Sequence, residues 1–241
     1  MSDLKINAMI PARVGSERLK LKNLRLLDGK PVIGHAIEAA LDSGVFDRVV
    51  LNSDGEVFGE IARRYGIDFY HRTPELANSQ AKSDDVVADF MERHPGDILV
   101  WLNPIAPLQP AQEIKAVITH FVDQGLDSLI TVKDEQVHCL FNGAPINFSE
   151  QGLFAKTQDL VPVQSMVYSI MMWRYPTFLE HYREHGCALL SGKVGYFPVC
   201  RDSTIIIKRE EDLRIAEAIF RSRRDSGGEL EYDPVAENID G

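Results

Sequence analysis

Cysteine is scarce in this sequence, with three in 241 residues: Cys139, Cys187 and Cys200. They are widely spaced, odd in number and never arranged as C-x-x-C. Neither a disulfide framework nor a thiolate zinc site is therefore expected, and each is read as a reduced, buried, small apolar residue. No apolar run approaches the ~18 residues of a membrane-spanning helix. Residues 1–5 are polar and lead straight into a short apolar segment, so no secretory leader is read and a cytoplasmic location is expected. Basic charge is in deficit: 26 Lys and Arg stand against 36 Asp and Glu, a net charge of −10. That balance opposes general nucleic-acid binding, which needs a basic footprint. Neither G-x-x-x-x-G-K-[ST] nor G-x-G-x-x-G occurs, which disfavours the common phosphate-loop ATPases and dinucleotide-dependent dehydrogenases. The seven histidines form no ligand-spaced cluster; His181 and His185 are four apart without an H-E-x-x-H pattern. The two tryptophans, Trp101 and Trp173, are expected in the core or an interface.

Apolar residues are plentiful, at 44% with 26% charged, enough for a sizeable core. Short apolar segments at 6–10, 48–52, 98–102 and 129–132 read as buried parallel strands. Between them, 31–41, 57–65, 86–93 and 114–122 carry apolar residues at helical spacing. Pro31 and the run Ser83-Asp84-Asp85 mark helix starts. Alternation of this kind predicts an α/β fold with an open, doubly wound, mainly parallel sheet. After Glu135 the pattern breaks into hairpin-like pieces. A helix is expected over 175–185, strands over 194–198 and 205–207, and a closing helix over 210–223. Residues 1–225 are read as one domain, with 137–185 as a projecting insert and 226–241 as a flexible acidic tail. The apolar cluster 166–173 is too rich for an isolated flap, so a partner subunit is expected to cover part of it.

In open α/β sheets ligands bind at the carboxyl ends of strands. After the first strand, four basic residues (Arg13, Arg18, Lys20, Lys22) fall within ten positions, together with Gly15 and Ser16. Backbone amides and cations gathered this way suit a triphosphate.

The same loop carries a resemblance. Ile10-Pro11-Ala12-Arg13, Gly15-Ser16, Lys22-Asn23-Leu24 and Leu27-Asp28-Gly29-Lys30-Pro31 are similar to the opening of the acylneuraminate cytidylyltransferases, the CMP-sialic acid synthetases and their Kdo, legionaminic and pseudaminic relatives. The likeness continues in order through Asn52-Ser53-Asp54, Arg72-Thr73-Pro74-Glu75-Leu76-Ala77, Ser83, Asn103-Pro104-Ile105-Ala106-Pro107-Leu108, Gln158-Asp159 with Pro162, and Glu210-Glu211-Asp212-Leu213. It implies a Rossmann-like nucleotidyltransferase fold with an inserted dimerisation subdomain, working as a homodimer. It also implies transfer of CMP from CTP to a sialic-acid-like or Kdo-like keto-sugar acid, with release of pyrophosphate and Mg²⁺ as cofactor. Carried over by position, Arg13, Ser16 and Lys22 would meet phosphates. Asn23, Arg72 and Ser83 would meet cytosine or ribose, and Asn103, Gln158 and Asp159 the sugar. Asp54 is a possible metal ligand.

Three departures stand out. Glu17 replaces the lysine of the family's G-S-K, and Ile105-Ala106 replaces T-S. The family's D-x-D metal ligands align with Ile206 and Lys208, where isoleucine cannot ligate a metal and lysine supplies a positive charge instead. Arg13, Lys22 and Lys208 are accordingly the expected catalytic cations. Two alternatives remain open at this level: a nucleotide-binding homologue without turnover, and a nucleotidyltransferase for another sugar.

Overall fold

A computed structural model describes residues 4–16, 18–78, 80–224 and 233. Glu17 and all of the expected tail except Asp233 lie outside the described residues. A seven-stranded sheet forms the centre. Its strands are β1 (Ile6–Pro11), β2 (Arg48–Ser53), β3 (Asp68–His71), β4 (Ile98–Leu102), β5 (Ser128–Glu135), β6 (Val163–Arg174) and β7 (Val194–Pro198). They lie in the order β3-β2-β1-β4-β6-β5-β7. Six run in one direction, and β6 alone is antiparallel to both of its neighbours. The order reverses between β1 and β4, and that switch point opens a crevice at the carboxyl ends of the strands.

Among the described residues, five helices connect the strands, α1 (Val32–Ser43), α2 (Glu56–Tyr65), α3 (Ser83–Arg93), α4 (Ala111–Asp123) and α5 (Tyr175–His185), and α6 (Glu210–Arg224) follows β7. The strands read as continuous apolar runs because both faces of the sheet are covered. Ile6, Ala8 and Ile10 of β1 pack with Ile33, Ile37, Phe58, Ile114 and Phe121 of α1, α2 and α4. Met9, on the opposite face, packs with Val87, Phe90 and Phe178 of α3 and α5. A smaller cluster of Leu19, Leu27, Val32, Leu108, Ile207 and Ala216 fastens α6 and the loop after β1 to the body.

Several expectations change here. The cluster 166–173 is no flap: it lies within β6, where Ile170 and Met172 join one face of the core and Met171 and Trp173 the other. The indole N–H of the fully buried Trp173 donates to the Leu189 carbonyl at 2.9 Å. Residues 175–185 form α5, packed on the same sheet, so 137–185 was too broad for a projecting insert. Val163 pairs with Glu135, which makes 136–162 the excursion of a long hairpin. A small hairpin, Leu140–Phe141 against Ala144–Pro145, lies inside it. Strand β3 was missed: its four residues, Asp-Phe-Tyr-His, form a half-exposed edge with no apolar run to read. Residues 205–207 are not a strand. They follow a 3₁₀ turn, and Ile207 is buried and donates its N–H to the Ile105 carbonyl at 2.8 Å. The cysteines are free but not buried: Cys139 is half-buried, and Cys187 and Cys200 are exposed.

Candidate active site

Two adjoining cavities occupy the crevice. The first, about 320 Å³, is roofed by the loop after β1 and lined by Arg13, Ser16, Arg18, Lys22, Asn23, Arg72, Asn78, Ser83, Trp101, Asn103 and Lys208 among others. The second, about 780 Å³, continues under β6 and is walled by Lys133, Glu135, Met166, Tyr168, Ile205, Ile206 and Asp212. Ser83, Trp101, Asn103, Ile105 and Lys208 line both.

Backbone pairing sets the shape of the first loop. Ala12 continues β1 by donating to the Asn52 carbonyl at 2.9 Å, and the Val14 N–H donates to the Asp54 carboxylate at 3.1 Å. Gly55 permits this closure, since a Cβ there would stand 2.3 Å from the Val14 side chain. Gly15 is less demanding than its sequence context suggests: a Cβ there meets nothing within 4 Å. Leu19 then anchors the loop in the small core cluster, and a 3₁₀ turn at Lys22–Leu24 aims Lys22 and Asn23 inward.

Lys22 is surrounded by like charge. Burial, then Arg18 and Arg13, push its ammonium down to about 8, with Lys208 adding to the effect and Asp212 opposing it. Its Nζ donates to the Ile207 carbonyl at 3.2 Å, tying the first loop to the segment that carries Lys208. Arg72, just past β3, is buried and donates to the Ala12 carbonyl at 3.0 Å. Burial also lowers its basicity, with Asp54 opposing. Its Nε, the Asn23 Oδ1 and the Trp101 indole nitrogen are buried without a hydrogen-bond partner. Unpaired buried polar atoms are costly, and three around one cavity suit a polar ligand that would pair them.

The expected residues divide cleanly. Arg13, Ser16, Lys22, Asn23, Arg72, Ser83, Asn103 and Lys208 come together around the first cavity. Ser83 was also read as a helix cap, but Lys82 holds that position and Ser83 is the first residue of α3. Gln158 and Asp159 line neither cavity. They sit exposed in a 3₁₀ turn of the 136–162 excursion, where Gln136 donates to the Gln158 carbonyl at 2.9 Å. Asp54 lines neither cavity and is occupied by the first loop. Trp101, expected in the core or an interface, borders both cavities and meets Trp173 edge to face.

Sequence reasoning missed Asn78, Lys133, Glu135 and Tyr168. Tyr168 takes a left-handed φ of 59° where the β6 register shifts between Met166 and Met171. Such bulges turn side chains toward sites, and no spacing in the sequence signals one.

The donor set does not fit a protein-held Mg²⁺. The first cavity carries five cations, and no described residue lining it is Asp or Glu. Only two carboxylates line the second among the described residues, each partnered through one oxygen: Asp212 accepts the Lys208 and Arg209 N–H groups at 2.8 Å each, and Glu135 pairs with Lys133 at 2.8 Å. Among the described residues, no group of three His, Cys, Asp or Glu side chains is placed to hold a metal. Hard divalent cations need oxygen ligands of this kind.

The N-acylneuraminate cytidylyltransferase of Streptococcus agalactiae serotype III is 30% identical over 191 residues, covering 78% of this chain and 43% of that protein. The N-acylneuraminate cytidylyltransferase of Escherichia coli O18:K1:H7 is 39% identical over 119 residues, covering 49% of this chain and 27% of that protein. This chain thus spans less than half the length of these curated relatives. Among solved structures, a CMP:2-keto-3-deoxy-manno-octonic acid synthetase complexed with CTP superposes with a TM-score of 0.70 at 16% identity, over 91% of this chain and 99% of that one. A 4-diphosphocytidyl-2C-methyl-D-erythritol synthase from Anaerococcus prevotii gives 0.60 at 14% identity, over 90% and 99%. Both share the Rossmann-like fold. Residues 7–151 match the family described as Cytidylyltransferase, a span that holds the first loop, Arg72, Ser83 and Asn103, and the chain belongs to that family.

Proposed function

We propose that this chain transfers CMP from CTP to a keto-sugar acid of the sialic-acid or Kdo kind, releasing pyrophosphate. The observation that carries the reading is the pair of joined cavities at the switch point. One is strongly cationic, and the two share Ser83, Trp101, Asn103, Ile105 and Lys208. The first cavity takes the nucleotide. Asn23, Arg72 and Ser83 meet the base and ribose, with Arg13, Ser16 and Lys22 on the phosphates. The second takes the acceptor, which Asn103 orients at the junction. The acceptor hydroxyl attacks the α-phosphorus, its proton passes to water, and the bond to the pyrophosphate oxygen breaks. Positioning and charge supply the acceleration, with Lys208 and Lys22 placed to stabilise charge on the phosphoryl oxygens.

The relatives' names and the chemistry of the crevice support this reading. Pyrophosphate release by the purified chain tests it, with CTP, a panel of keto-sugar acids, and Mg²⁺ present or absent. Release with one acceptor is expected, and CTP-dependent release with none overturns it. A second reading, a nucleotide-binding homologue without turnover, is favoured by the lack of a carboxylate among the described residues lining the cationic cavity. Calorimetric CTP binding without release across the panel would support it.

The same reading includes a homodimer. Phe141, Leu153, Phe154 and Val161 of the 136–162 excursion are exposed. Apolar groups gathered on one hairpin suit burial against a second copy. No described helix is long and apolar enough to cross a membrane. A cytoplasmic location belongs to this proposal, since CTP and sugar acids are cytoplasmic metabolites.

A further inference from the structure

The cationic cavity has an unusual balance. Arg13, Arg18, Lys22, Arg72 and Lys208 line it, and no described lining residue is acidic. Lys22 and Arg72 are largely enclosed, whereas Lys208 is exposed at the wall shared with the second cavity. Lys208 is also held in place from two sides. Its N–H and that of Arg209 donate to Asp212 at 2.8 Å, and the preceding Ile207 is fixed by its bond to Ile105. Each nearby carboxylate is partnered through one oxygen: Asp212 with those amides, Asp54 with the Val14 N–H, and Glu135 with Lys133. A triphosphate free of metal carries roughly four negative charges near neutral pH, and its Mg²⁺ complex roughly two. A wall of five cations, with no carboxylate among its described residues, attracts the first more strongly and repels the added cation.

We propose that this chain takes its nucleoside triphosphate as the metal-free polyanion, with Lys208 as the cation at the junction with the acceptor cavity. This rests on reading the first cavity as the nucleotide site. It makes Lys208 a determinant of which form of the nucleotide binds.

The test is calorimetric titration of the full chain with CTP, once with EDTA and once with saturating Mg²⁺. Binding in EDTA is expected to be at least as tight as in Mg²⁺. The Lys208→Met variant is expected to weaken metal-free binding by about tenfold, the scale of one lost charge-assisted contact. Lys208→Arg restores it, and Lys208→Asp makes Mg²⁺ favourable. Lys208 is exposed, so these variants are expected to fold, and circular dichroism checks that they do. Tighter binding in Mg²⁺ than in EDTA overturns the proposal and leaves the nucleotide reading standing. Binding in neither condition overturns both. Unchanged metal-free binding by Lys208→Met overturns the role of Lys208.

Discussion

Lys22 gathers the electrostatics of the site in one side chain. Its ammonium is pushed down to about 8 by burial and by Arg18 and Arg13. Two opposite pH trends follow. In the free protein the folded pKa lies below the ordinary 10.5, so charged Lys22 destabilises the fold below pH 8. That cost is relieved as pH climbs from about 8 toward 10.5. Bound phosphates favour the charged form, so CTP affinity should hold below pH 8 and fall above it. Titrations between pH 7 and 9.5 check the trend, and in Lys22→Met the fall above 8 should vanish. Asn23 offers a complementary test. Its Oδ1 is buried without a partner. Asn23→Leu removes that unpaired acceptor, so urea stability should hold or rise while CTP affinity drops by about tenfold.

At the scale of elements, the segment before α6 matters more than its lack of regular structure suggests. Residues 205–207 are three consecutive isoleucines, and the sequence reads them as a strand. In the fold they have no strand partner. Ile207 instead plugs the small core cluster while its carbonyl receives Lys22 and its N–H meets Ile105. Ile207→Ala should cost about 2–4 kcal/mol in urea unfolding. It should also lower CTP affinity, because the Lys22 tether and the Lys208 mount shift together. A surface substitution such as Lys115→Ala on α4 should change neither quantity. Strand β6 teaches the complementary lesson. Its apolar density was legible, but not its place, because an antiparallel strand inserted between two parallel ones leaves no periodic mark. The same bulge that breaks its register brings Tyr168 to the acceptor cavity.

At the scale of the molecule, the exposed hairpin 136–162 sets the expected assembly. Leu153 is 96% exposed and Phe154 65%, with His138 stacked on Phe154 at 4.1 Å. Light scattering at micromolar concentration should return a dimer. Leu153→Asp with Phe154→Asp should return a folded monomer, checked by circular dichroism, because neither side chain belongs to the core clusters. A wild-type monomer under the same conditions would remove the dimer from the reading. Gln158 and Asp159 lie on the same excursion, away from both cavities of their own chain. Pyrophosphate release by the monomeric variant therefore shows whether any dependence on them is a dependence on assembly.

The sequence alone carried the doubly wound sheet, because strands covered on both faces must be apolar and the helices between them must be amphipathic. It carried the cationic loop as well, since four basic residues in ten stand out in an acidic chain. Eight of the expected residues meet at one cavity because they lie in segments beyond the carboxyl ends of parallel strands, which all open on one side of the sheet. Tertiary structure decided what spacing cannot encode. It turned Asp54 into a brace for the first loop and carried Gln158 and Asp159 outward on a hairpin. It also set Lys208, distant in sequence from Lys22, into the same ring of charge. Local residue type dictates periodicity and charge, but which distant loops share a crevice depends on strand order, and strand order is settled only when the faces of the whole sheet are buried together.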